Sequence, residues 1–215
     1  MTTFFTPHQT LAETLLARLP DADDGAHDLA HLVRVWRNVQ RIAAEEGGDS
    51  ELLLAATVLH DGVHVPKNDP RRAQASRLAA AQAREILAAL EWETSRIEAV
   101  AHTIEAHSFS AAIPPQMLEA RILQDADRLD ALGAMGIARC FYTAGQMGSA
   151  LYDPLDPQAV HRALSDQRFT LDHFQTKLLT LREGFQTATG QQLADARHAR
   201  LVAFREAMLE EIGDC

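Results

Sequence analysis

Apolar positions recur with a helical period along most of the chain, and breaker residues divide the pattern into segments. Thr10 to Leu19 predicts a short amphipathic helix, closed by Pro20 and the acidic turn Asp21-Ala-Asp-Asp-Gly25. Leu32, Val35, Trp36, Val39 and Ile42 share one face of a longer helix from Asp28 to Glu46, which Gly47-Gly48 stops. Asp49 or Ser50 can cap the next helix, which runs to His60. Its body, Leu52-Leu-Leu-Ala-Ala-Thr-Val-Leu59, is apolar all round and reads as buried. Gly62 to Ala73, with Pro66 and Pro70, reads as a loop. Two helices are predicted near Gln74–Leu90 and Ser95–Ala106, then a loop with Pro114-Pro115. Helix resumes around Gln116, an irregular stretch covers Gly145 to Pro157, and long helices return over Ala159–Glu183 and Gln191–Ile212.

The predicted fold class is therefore all-α. No linker, repeat or low-complexity segment divides the 215 residues, so one domain across residues 1–215 is the expectation. An apolar content of 47% with 23% charged residues fits a globular chain. The net charge of −10 argues against a nucleic-acid polymer as partner, because no basic stripe offsets repulsion from a polyphosphate. Small phosphorylated substrates remain compatible, since a bound cation and a few local bases set the field inside one cleft. Cys140 and Cys215 have no CxxC partner and suit a reducing compartment. The N-terminal residues lack the features of a signal peptide and no run is long enough for a membrane span, so a cytoplasmic location and no membrane partner are expected. The oligomeric state is left open.

His60-Asp61 is the chemically telling pair. It ends the buried apolar run and is followed at once by Gly62. An imidazole and a carboxylate are costly to bury unless paired, and both are good ligands for a first-row divalent metal. Neighbouring side chains diverge by about 100° on an ideal helix, and Gly62 lets the helix end there. His31 lies upstream, with His27 four residues earlier on the same face; alone, it reads more readily as an ordinary helix histidine. Downstream, Asp125, Asp127 and Asp130 crowd one segment with Arg121 and Arg128 nearby. Asp127 and Asp130 can share a face, at least one Asp suits a cap or an arginine partner, and periodicity does not choose the ligand. Lys67, Arg71 and Arg72 follow the pair in one loop, the main local concentration of positive charge, with donors that match phosphate oxygens.

Taken together, His31, His60-Asp61 and Asp127 resemble the H…HD…D signature of the HD-domain metal-dependent phosphohydrolases. The resemblance runs from about His27 to Pro157 and includes HDLAHLVRVWRN, LLLAATVLHDGVHVPKN, IEAHSFS and LQDADRLDALGAMGIAR. These stretches look like one bacterial subgroup of small HD proteins, some of which act on nucleotides. The resemblance implies an HD helical bundle over about 27–157 with additional C-terminal helices over about 159–212. It implies metal ligation by His31, His60, Asp61 and Asp127, and so selects Asp127 among the three aspartates. His64, three residues past Asp61, falls where relatives place a polar catalytic side chain, although this subgroup more typically shows Asn there. His107 is expected to line the cleft against substrate phosphate. Independently of the resemblance, Tyr152 and Asp153 fall in the irregular Gly145–Pro157 segment, a candidate cleft wall or lid.

The expected activity is hydrolysis of a nucleotide or similar small phosphorylated substrate through metal-activated water, as a pyrophosphohydrolase or a phosphatase. Asp61, His64 and Asp127 are the candidate catalytic residues; Lys67, Arg71 and His107 are the candidate phosphate contacts. A mixed nitrogen and oxygen ligand set suits Mn, Fe, Ni, Co or Zn better than Mg. Two alternatives are weighed: an HD-type di-iron oxygenase, for which His64, His102 and His107 offer further ligands, and a non-catalytic nucleotide sensor.

Overall fold

The computed structural model describes residues 3–20, 29–63, 65, 74–108 and 111–213. The helices are α1 (Gln9–Leu16), α2 (Leu29–Glu46), α3 (Ser50–Leu59), α4 (Ala75–Ala89), α5 (Thr94–His107), α6 (Leu118–Asp130), α7 (Gly133–Gln146), α8 (Thr170–His173) and α9 (Ala188–Glu211). Among the described residues no strand forms beyond an isolated bridge between Ala150 and Phe169, so the fold is all-α. No described helix is long and apolar enough to cross a membrane. The chain divides into two compact units, Met1–Asp127 and Arg128–Cys215.

In the first unit α3 is the core. Every residue from Leu52 to Leu59 is buried, as an all-round apolar helix requires. Asp49 caps it, its carboxylate accepting from the backbone N–H groups of Glu51 and Leu52, both at 3.0 Å. Helices α1, α2, α4 and α5 pack on α3. Gly47 and Gly48 end α2 with φ of +87° and +108°, a region that glycine enters without a Cβ penalty. Helices α4 and α5 form an antiparallel hairpin over the short turn Leu90–Glu93, clasped by Arg84 on Glu98 and Glu105. Buried Ala79, Ala80 and Ala83 let its two helices approach closely. Buried Asn38 of α2 donates to the Ala126 carbonyl of α6 (2.9 Å), and buried Gln124 of α6 donates to the Ala106 carbonyl of α5 (2.7 Å).

In the second unit, Ala131 and Leu132 interrupt the chain after α6, and Gly133 opens α7 with φ of +67°. The rings of Phe141, Phe174 and Phe204 pack together, with centroids 5.9–6.2 Å apart. The sequence expectation of an unbroken helix over Ala159–Glu183 is corrected here. Residues 159–169 are not helical, and only α8, a π-helical turn at Phe174–Leu178 and a 3-10 turn at Thr180–Arg182 follow. The cause is local competition for backbone donors. Asp156 accepts from the N–H groups of Val160 and His161, each at 2.8 Å, while Ala159 takes a φ of +54°. Arg162 then grips both oxygens of fully buried Asp172 and reaches Asp153, and the Ser165 N–H donates to Asp172 at 2.7 Å. Helical periodicity carries no signal for such a clamp.

Candidate metal centre

Four helix ends in the first unit supply the chemistry. His31 stands in the first described turn of α2, His60 and Asp61 in the turn that ends α3, His107 as the last residue of α5, and Asp127 in the last turn of α6. His60 keeps a right-handed helical conformation, and Gly62 donates back to the Leu59 carbonyl at 3.2 Å. A Cβ at Gly62 would stand 2.5 Å from Gln82 Oε1 and 2.8 Å from Leu19 Cδ2, both ends of flexible side chains that can shift. Even with His60 helical, its Nε2 and Asp61 Oδ2 come within 3.4 Å of each other.

The donor atoms converge. His31 Nε2 lies 3.6 Å from Asp61 Oδ2 and 3.5 Å from Asp127 Oδ1. His60 Nε2 lies 3.4 Å from Asp61 Oδ2 and 3.9 Å from Asp127 Oδ1. His107 Nε2 is 3.9 Å from Asp61 Oδ1, and its ring meets that of His60 edge-on at 4.9 Å. His31, His60 and Asp127 form one group whose ligand atoms lie within 4.8 Å of one another; His60, Asp61 and His107 form another. Two atoms each about 2.1 Å from one ion stand about 3.0–3.6 Å apart at usual coordination angles. Most of the spacings match those of ligands around a shared cation.

Tautomers reinforce the fit. His60 Nδ1 lies 2.8 Å from the Thr57 carbonyl, and His107 Nδ1 lies 2.6 Å from the Ile104 carbonyl. A carbonyl only accepts, so each Nδ1 carries the proton, and in the neutral ring Nε2 presents its lone pair to the carboxylates. Acceptors facing acceptors in a buried place are favourable with a cation between them. Burial pushes the His107 imidazole below its ordinary pKa; a proton on His60 would add to this, and Asp127, Asp61 and the Ile104 carbonyl oppose it. His107 is therefore held in its neutral, ligand-competent form.

Asp127, with 31% of its side chain exposed, is the aspartate of the cluster that reaches His31 and His60. Asp125 is fully buried, and Asp130 pairs with Arg139 at 2.9 Å. Arg121 donates to the Pro115 carbonyl, and Arg128 to the carbonyls of Glu183 and Gly184. His102 accepts from the Gln116 N–H at 3.2 Å, a local role. Asp153 is engaged by Arg162 in the second unit. His27, His64, Lys67, Arg71 and Arg72 lie outside the described residues.

Sequence reasoning placed His107 in the cleft against substrate phosphate and, under the oxygenase alternative, among further metal ligands; its ring stands beside that of His60. The same reasoning missed Asn38 and Gln124, which tie the helices carrying His31, Asp127 and His107 together. A signal for Asn38 exists: it follows His31 by seven residues, a polar side chain in an otherwise apolar stripe.

Residues 28–132 match the family model described as the HD domain. The Bacillus subtilis protein YpgQ is 31% identical over 198 residues, covering 90% of this chain and 88% of that one. The crystal structure of YpgQ in complex with ADP aligns with a TM-score of 0.72 at 27% identity, covering 99% and 98% of the two chains. A crystal structure of an HD-superfamily hydrolase from Bacillus thuringiensis aligns with a TM-score of 0.68 at 29% identity, covering 94% and 93%.

Proposed function

This chain belongs to the HD-domain family, with the fold of its metal-dependent hydrolases, and from that premise we propose that it hydrolyses a phosphoanhydride or phosphoester bond of a nucleotide. The observation that carries the reading is the convergence of two imidazole Nε2 atoms and two carboxylates at 3.4–3.9 Å. His31, His60, Asp61 and Asp127 would hold the divalent ion, with His107 beside them. The mixed donor set favours Mn, Fe, Co, Ni or Zn over Mg. An ion held there would supply Lewis acidity at phosphoryl oxygen and would acidify water.

The chain's own groups divide the remaining work. Thr57 and Ile104 hold the ring protons of His60 and His107 on Nδ1. Asp61 and Asp127 are partly exposed while the three imidazoles are buried, so the carboxylates are the groups placed to orient attacking water or accept its proton. The water oxygen forms the new bond to phosphorus as the bond to the leaving phosphate, pyrophosphate or alcohol oxygen breaks. His64, Lys67 and Arg71 keep the roles that their sequence positions suggest, in catalysis and in phosphate binding. A nucleotide substrate is supported by the relative YpgQ, whose structure holds ADP.

The test is a panel of nucleoside mono-, di- and triphosphates with each divalent metal, scored separately for phosphate and pyrophosphate. Metal-dependent release is expected. Asp61→Ala should reduce it by more than the ~10–100-fold typical of losing an outer-shell metal partner, with helicity by circular dichroism unchanged. ADP binding without release under any metal would leave the sensor reading. Oxygen uptake by the iron-loaded protein would leave the oxygenase reading.

A further inference from the structure

Ser76 is a polar residue with no partner where one is due. Its side chain is 4% exposed, and its Oγ makes no hydrogen bond among the described residues. It sits in the first turn of α4, whose N-cap residue Gln74 contributes no side-chain cap. The aligned peptide dipoles place positive potential at such an end. Cα–Cβ bonds on a helix tilt toward its N-terminus, so the Ser76 hydroxyl is aimed at that end.

The hairpin sets this end level with His107, the last residue of α5. Ser76 precedes the turn residue Leu90 by as many positions as His107 follows Glu93. At the helical rise, both stand about 21 Å from the turn, at one height on packed neighbours. Arg84, bridging Glu98 and Glu105, supports that register. Both residues belong to the buried faces of their helices, and His107 Nε2 is 3.9 Å from Asp61.

We propose that the N-terminal turn of α4, with the Ser76 hydroxyl as a donor, is a subsite for a phosphate group of the substrate beside the metal centre. The proposal rests on the phosphohydrolase reading and extends it to a second, metal-independent set of donors. Helix N-termini bind phosphate through backbone N–H groups, and a first-turn hydroxyl adds one more donor. A buried hydroxyl without a partner lowers stability, which a ligand oxygen would restore.

The experiment titrates ADP and inorganic pyrophosphate into the wild-type protein, Ser76→Ala and Ser76→Thr, with Mn²⁺ and without it, alongside thermal melts and Mn²⁺ affinity. Ser76→Ala is expected to weaken ADP binding about tenfold, a loss of one charge-assisted hydrogen bond. Its Tm should be unchanged or higher and its Mn²⁺ affinity unaltered, and Ser76→Thr should restore binding. Equal ADP affinity in wild type and Ser76→Ala would overturn the subsite while leaving nucleotide hydrolysis standing. Weaker binding with a lowered Tm would mark Ser76 as a packing residue and overturn it too. If no nucleotide is hydrolysed, the substrate reading falls, and pyrophosphate decides the subsite separately: weaker binding by Ser76→Ala supports it, and absent or equal binding overturns it.

Discussion

Asp125, Asp127 and Asp130 occupy one helix and meet three environments. Asp125 is fully buried, Asp130 is buried against Arg139, and Asp127 stands half-open between His31 and His60. The ion pair and the ligand position can be separated by substitution. Asp127→Ala should weaken Mn²⁺ binding in calorimetry by about 100-fold or more, with little change in the melt of the metal-free protein. Asp130→Ala should do the reverse. It removes a charge-assisted hydrogen bond from a buried carboxylate and should lower stability by about 1.5–3 kcal/mol. Arg139, 28% exposed, regains water and holds the loss toward the lower end. Equal loss of metal in the two variants would move the ligand assignment away from Asp127.

At the scale of the element, donors collect where helices stop. His60 and Asp61 leave α3 at its end, and His107 terminates α5. The boundary between α6 and α7 depends on a backbone detail. A Cβ at Gly136 would overlap the carbonyl oxygen of Ala131, a backbone atom that cannot swing aside. Gly136→Ala should therefore cost about 1–3 kcal/mol as overpacking, read as a lower urea midpoint at constant m-value. Gly145, on the same helix, has nothing within 4 Å of its Cβ direction. There the same replacement should stabilise by about 0.4–1 kcal/mol. Two equal effects would show that helix propensity rather than the Ala131 contact sets the cost.

At the scale of the whole molecule, acid should act on the second unit through Asp172. Burial alone would raise its carboxyl; the Arg162 guanidinium and the Ser165 N–H outweigh burial and hold it below the usual carboxylate value. A depressed folded pKa contributes stability that is fully present above the unfolded value, about 3.9. The contribution fades as pH falls through the folded value. Asp172→Asn should therefore lower Tm at pH 6, with the gap to wild type narrowing toward pH 2–3. A pH-independent gap would assign the effect to packing rather than to charge. Cys140, whose thiol burial pushes up to about 11, should stay unreactive toward alkylating reagents at neutral pH throughout.

Helix positions were legible because their causes are local. Apolar spacing, the Asp49 cap and the Gly47-Gly48 stop act within a few residues, and the all-α class follows from them. His60-Asp61 was legible as chemistry because two polar groups ending an apolar run demand a use. The exchange of helix for a clamp over residues 159–169 was not legible, since Asp156 and Arg162 act through specific side-chain bonds that no period encodes. Periodicity could not choose among the three aspartates either. The choice needed helices bonded at long range, as Asn38 is to Ala126 across 88 residues. The sequence by itself supplied the candidate ligand types and the helices that carry them. Only the tertiary structure decided which donors meet, because convergence depends on helix packing and on the turns where those helices end.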